Sequence, residues 1–172
     1  MFNVLFLCTG NSARSVLSEG WLNHIGGGRF KAFSAGSKPR GKVNPFALAA
    51  LKAQGASTES YRSKSWDEFA GDGAPQMDII ITVCGNAQNE TEGEACPVWP
   101  HSKNGERPAT AYWGYDDPAK SYDDGTGTDT EIEAAFEDVF AQIRTRIEAL
   151  VALSDDAIQQ HIANRTLKDI GA

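Results

Sequence analysis

Residues 79–83 read Ile-Ile-Ile-Thr-Val, five β-branched side chains in succession. Residues 77–83 as a whole are too short for a buried helix and too uniformly apolar for a strand with one wet face. Such a run implies a strand covered on both sides, as in a parallel sheet sandwiched between helices. A second apolar run, residues 4–7, stands near the start and gives way to Cys8-Thr9-Gly10-Asn11. Beyond it, Val16, Leu17, Trp21 and Ile25 fall at helical intervals until Gly26-Gly27-Gly28 interrupts them. Strand, glycine-containing loop and helix together form the opening of a βαβ unit.

The remaining elements extend this pattern. Residues 30–34 form a second strand candidate, followed by a basic loop over 38–43. Asn44-Pro45 marks a helix start, because proline is tolerated in the first turn, and Phe46, Leu48, Ala49 and Leu51 fill that helix as far as Gly55. Residues 65–69 suggest a shorter helix and 97–99 a short final strand. Residues 100–130 show little periodicity and much Gly, Asp and Pro, and loops of that length often carry function. From Glu131 a long amphipathic helix uses Ile132, Phe136, Val139, Phe140, Ile143, Ile147 and Leu150, with a capping box from Thr128 and Glu131 or from Thr130 and Glu133.

These elements predict an α/β fold: a four-stranded parallel sheet with helices on both faces. Its 172 residues suffice for one domain, expected over 1–153. Residues 154–172 form a C-terminal extension, either a terminal helix with Ile158, Ile162 and Leu167 on one side or a frayed tail. Ligands of such sheets bind beyond the carboxyl ends of the strands. Cys8 and Cys84 both stand at that kind of strand end.

Charge restricts what binds there. With 23 acidic against 16 basic side chains the formal net charge is -7, so no positive field exists for a nucleic acid. A small anion must be held by aimed donors instead. The opening MFNVLFLC lacks the basic region and cleavage site of a secretory signal, and no segment reaches 18 apolar residues. The expected location is the cytoplasm, with no membrane partner. The three cysteines, Cys8, Cys84 and Cys96, make an odd number, which argues against a disulfide framework. His24, His101 and His161 show no zinc-ligand spacing around them.

The segment Cys8-Thr9-Gly10-Asn11-Ser12-Ala13-Arg14-Ser15 carries the chemistry. Successive backbone N–H groups in a tight loop leading into a helix N-terminus cradle an anion, and Thr9, Gly10, Asn11, Ser12, Ala13 and Arg14 are the expected oxyanion-binding residues. Arg14 offers a planar fork to two oxygens of a tetrahedral anion. Its charge and a hydrogen bond from Ser15 favour the thiolate of Cys8. A cysteine after an apolar strand is commonly only a small buried hydrophobe. An arginine at the positive end of a helix dipole makes more sense with an anion present.

This loop resembles the signature of the low-molecular-weight protein tyrosine phosphatases and of the arsenate reductases that share their fold, and the likeness runs over roughly residues 3–152. The resemblance implies that Cys8 attacks the central atom of the oxyanion and that Arg14 clamps its oxygens. Asp117, in Asp116-Asp117-Pro118, matches the family's general acid. Cys84 and Cys96 point to the reductase branch, since a two-electron reduction of arsenate matches one disulfide. By the same resemblance Cys8 forms an arseno adduct, a Cys8–Cys84 disulfide releases arsenite, and a Cys84–Cys96 disulfide is reset by thioredoxin, or alternatively by glutaredoxin with glutathione. No tightly bound cofactor is implied. Ala119 and Lys120 follow Asp-Pro where the phosphatases place tyrosines, which argues for an inorganic substrate. The alternative is a phosphatase acting on phosphotyrosine or small phosphate esters. Some of these reductases hold a potassium ion behind the loop, and Asn11, Glu19, Ser34 and Asp67 match its ligands.

Overall fold

In the computed structural model, residues 1–84 and 107–172 are described. Four parallel strands form one sheet in the order β2-β1-β3-β4. They are β1 (Phe2–Cys8), β2 (Phe30–Gly36), β3 (Ile79–Cys84) and β4 (Ala109–Tyr115). Strand β1 pairs in register with β2 from Phe2↔Phe30 to Cys8↔Gly36 and with β3 from Val4↔Ile79 to Leu7↔Thr82. Helix α1 (Arg14–Ile25) connects β1 to β2, and α2 (Pro45–Ala53) follows β2.

Every residue of β1 is buried, and its side chains alternate between two cores, as the pleat requires. Phe2, Val4 and Phe6 join Val16, Leu17, Leu22, Leu51, Phe136, Ile143 and Ile147. Leu5 and Leu7 face the other way, with Ile80, Met77 and Phe69. Three helices cover the first face: α1, α2 and a long helix near the C-terminus. Among the described residues the second face is covered by a 3-10 turn, Trp66–Phe69. That turn stands where a short helix was expected.

Strand β4 lies inside the stretch that the sequence reading left without structure, and the expected strand at 97–99 falls outside the described residues. The reason is its position: β4 is an edge strand, and only Trp113 and Tyr115 of its seven residues are buried. Half-exposed Ala, Thr and Gly give it no apolar run to recognise.

After β4 come a single turn, α3 (Lys120–Asp123), then the long helix α4 (Asp129–Ala152) and α5 (Asp155–Asn164). Of the two capping boxes considered, Thr128 and Glu131 form the one present. The Thr128 hydroxyl accepts the Glu131 N–H, and the Glu131 carboxylate accepts the Thr128 N–H. The C-terminal segment is helical, capped by Ser154. It ends at Arg165 in a left-handed conformation, after which Leu167 packs beneath β4 and its carbonyl accepts the Trp113 indole N–H at 3.0 Å. Among the described residues no helix is long and apolar enough to cross a membrane.

Candidate active site

Strand β1 ends on Cys8 and helix α1 begins on Arg14, so the five residues between them must turn sharply. Asn11 makes the turn with a left-handed φ of 42°, which its short amide side chain tolerates. Gly36, at the end of β2, lies directly beneath. A Cβ there would stand 2.4 Å from the Thr9 carbonyl oxygen and 2.9 Å from the Asn11 nitrogen, so only glycine fits.

The carbonyls of Thr9, Gly10 and Ser12 accept hydrogen bonds at 2.9 Å from the N–H groups of Lys38, Arg40 and Asn44. In a trans peptide the N–H points opposite to its carbonyl. The amides of Gly10, Asn11 and Ala13 therefore face the other side of the loop, and the Asn11 N–H reaches the Cys8 sulfur at 3.2 Å. Among the described residues no side chain caps the N-terminus of α1, and its first turn holds no acidic residue. The loop is an arc of amide donors leading into the positive end of a helix.

That arc opens on a cavity of about 330 Å³ lined in part by Cys8, Arg14, Arg40, Cys84 and Asp117. Cys8 is 7% exposed, enough to meet a small anion from the cavity. The neighbouring Cys84 thiol stabilises its charged form most, the Ser15 hydroxyl and amide add donors, and Arg14 adds positive charge. These outweigh burial and lower its pKa to about 6. Cys84 moves the other way: the Cys8 thiolate holds its proton, and burial penalises a second charge, so its pKa is pushed far up.

Arg14 is aimed from two sides. One terminal nitrogen donates to the Tyr115 carbonyl at 3.0 Å, and the other lies 3.7 Å from the Asp117 carboxylate. Asp117 is itself held by the Ala119 N–H at 3.1 Å, across the Asp-Pro step. The structure thus brings Cys8, Thr9, Gly10, Ser12, Ala13, Arg14, Cys84 and Asp117 to one cavity, with Asn11 and Ser15 buried behind the loop. Cys96 lies outside the described residues. Two residues not singled out from sequence also line the cavity, Lys38 and Arg40. Both belong to the basic loop at 38–43, which was the available signal. Arg40 lies against Gly10 and pairs with Asp123 of α3.

The expected potassium ligands do not present a cation site. The side-chain oxygen of Asn11 accepts the Lys64 N–H at 2.8 Å. Ser34 accepts from the Asn11 amide at 2.9 Å and donates to Glu19 at 2.5 Å. Asp67 is engaged instead with the Ser65 hydroxyl at 3.1 Å. The Lys64 ammonium stands 3.7 Å from Glu19. A charge-balancing cation is already built into the chain there. Burial raises the Glu19 pKa against the opposing pull of Lys64, and burial lowers that of Lys64 against the pull of Glu19.

Known proteins carry the same framework. The chain is 37% identical over 145 residues to an arsenate reductase of Halalkalibacterium halodurans, covering 84% of this chain and 91% of that protein. It is 35% identical over 146 residues to an arsenate reductase of Bacillus subtilis, with the same coverage. A solved arsenate reductase in its phosphate-binding state superimposes with a TM-score of 0.65 at 27% identity, over 88% of this chain and 98% of that one. The family model for low molecular weight phosphotyrosine protein phosphatase matches residues 3–164, nearly the whole chain, and this chain belongs to that family.

Proposed function

We propose that the chain reduces arsenate to arsenite, with Cys8 as nucleophile and Cys84 as the first resolving thiol. The observation that carries this reading is a second cysteine, Cys84, lining the same cavity as Cys8 beside the anion loop, its sulfur 3.9 Å from the Thr9 hydroxyl. Phosphoryl transfer has no use for a second thiol at that position. The names of the curated relatives support the same reading.

In this reading the Cys8 thiolate attacks arsenic and a hydroxide leaves as water, with its proton supplied by Asp117. Arg14 and the loop amides hold the remaining oxygens. Cys8 then no longer carries negative charge, and the chief cause of the raised Cys84 pKa disappears. Cys84 passes its proton to an oxygen of the departing arsenite and attacks the Cys8 sulfur. The S–S bond forms as the As–S bond breaks, its electron pair stays on arsenic, and As(V) leaves as As(III). Capture of the substrate thus arms the resolving thiol. Cys96 next attacks Cys84, freeing the Cys8 thiolate, and a dithiol donor, thioredoxin in this proposal, reduces the Cys84–Cys96 disulfide.

The test is arsenite production from arsenate with thioredoxin, thioredoxin reductase and NADPH, comparing the native chain with C84S and C96S. Loss of turnover in both variants is expected. Turnover unaffected by both would overturn the relay, and turnover only with glutathione and glutaredoxin would replace the donor. Rapid cleavage of an aryl phosphate without arsenite formation would favour the phosphatase reading.

A further inference from the structure

Behind the loop, five polar side chains are buried in a row whose near end, Ser15, meets the Cys8 sulfur. Asn11, Ser15 and Ser34 are inaccessible, and Glu19 and Lys64 are each 8% exposed. Their hydrogen bonds have a fixed direction. Because the Asn11 oxygen accepts the Lys64 N–H at 2.8 Å, its amide nitrogen must face the other way. That nitrogen donates one hydrogen to Ser15 and the other to Ser34, each at 2.9 Å. Ser34 already accepts from Asn11, so it gives its own hydrogen to the Glu19 carboxylate. Ser15 likewise accepts from Asn11, which leaves its single hydrogen for the Cys8 sulfur at 2.9 Å.

The row requires an acceptor at its far end. An ionised carboxylate accepts only, whereas a protonated one brings a hydrogen of its own and competes with Asn11 for the Ser34 oxygen. A buried carboxylate stays ionised only beside a cation. Among the described residues, Lys64 is the cation in ion-pair contact with Glu19. The other nearby positive charge, Arg62, is exposed and paired with Glu68. Lys64 is also placed by its own backbone: its N–H holds Asn11, and its carbonyl accepts the Gly36 N–H at 2.9 Å. Its ammonium donates to the Arg62 carbonyl at 3.2 Å.

We infer that Lys64 is a positioning residue for the nucleophile: a built-in cation that keeps Glu19 an acceptor and so holds the Ser34–Asn11–Ser15 row pointing its last hydrogen at Cys8. The side chain does the work that a bound monovalent cation would do at the same carboxylate. The reactive loop is thereby independent of potassium. This inference rests on the reading of Cys8 as a thiolate nucleophile, but not on arsenic as its target.

The experiment follows alkylation of Cys8 by iodoacetamide in the full chain, mapped by mass spectrometry across pH. This separates the inference from the fate of arsenate. Lys64→Met should slow alkylation roughly twofold or more at pH 6, the effect of about half a pKa unit or more, with the midpoint displaced upward. The double variant E19Q/K64M removes both charges and keeps an acceptor for Ser34, so it should recover most of the loss. The native chain should be alkylated, and should turn over arsenate, at equal rates in potassium, sodium and choline chloride of matched ionic strength. A K64M profile superimposed on the native one would overturn the inference, as would a double variant no faster than K64M. Should K64M fail to fold, the double variant and the salt series decide: a native profile in E19Q/K64M with no salt preference supports the inference, and potassium-specific acceleration of the native chain refutes it.

Discussion

The hydroxyl of Ser15 stands 2.9 Å from the sulfur of Cys8, and the Asn11 amide occupies its acceptor side, so its proton has one place to go. A thiol that receives a directed hydrogen bond, and shares its neighbourhood with an arginine, ionises early. The reactive form is the deprotonated one, so reactivity rises with pH and half-saturates where the thiol titrates. For the native chain this is about pH 6, well below the ~8.5 of free cysteine. Ser15→Ala should move the midpoint up by about one unit and cut alkylation at pH 6 roughly fivefold. A profile of iodoacetamide alkylation against pH measures it directly. A midpoint near 8.5 in the native chain would remove the basis of the proposed chemistry.

Cys84 gives a second test of the same sulfur, and it separates two roles. Its thiol is the largest single influence lowering the Cys8 pKa. A serine at 84 keeps a donor but has no sulfur, while an alanine keeps neither. Cys84→Ala should raise the Cys8 midpoint by about a unit or more, whereas Cys84→Ser should stay close to native. Both should abolish arsenite formation. Equal midpoints in the two variants would show that the thiol proton has no part in activating Cys8.

Arg14 is held by a backbone carbonyl on one nitrogen and a carboxylate near the other. Lysine keeps the charge but loses the fork, and it cannot satisfy Tyr115 and two anion oxygens together. Arg14→Lys should therefore weaken competition by inorganic phosphate and reduce kcat/KM for arsenate by about 10²-fold, comparable to the loss of an oxyanion donor. Phosphate protection of Cys8 from alkylation reads the binding part alone. Undiminished protection would show that the loop amides suffice.

How much of this was legible in the sequence depended on distance along the chain. Cys8, Arg14 and Ser15 belong to one strand-loop-helix segment, so their meeting was fixed by local geometry. Cys84 was placed by the sheet, since strands β1 and β3 are adjacent and parallel and end on the same side. Lys64 gave no such signal. It reaches Asn11 from 53 residues away, in a segment without periodicity, and it arrives because its neighbour Ser65 makes a parallel bridge to Gly36. Strand β4 was missed for a related reason: an edge strand half open to water has no apolar run. Its burial comes from Trp113 and Tyr115, and Trp113 in turn depends on the C-terminal segment.

Dependence of β4 on that segment can be measured. The Trp113 indole N–H donates to the Leu167 carbonyl in a buried environment, with Leu167 1% and Ile158 fully buried beside it. Leu167→Ala leaves the backbone acceptor in place and removes only the packing. It should cost about 2–4 kcal/mol of stability, seen as a lower urea midpoint with an unchanged slope. Truncation after Leu153 should cost more, because the buried indole then loses its acceptor as well. Neither change touches the groups that lower the Cys8 pKa, so folded Leu167→Ala should keep an alkylation midpoint at about pH 6. A shifted midpoint would mean that strain in β4 travels through Tyr115 to Arg14, and that the C-terminal segment tunes the thiol as well as the fold.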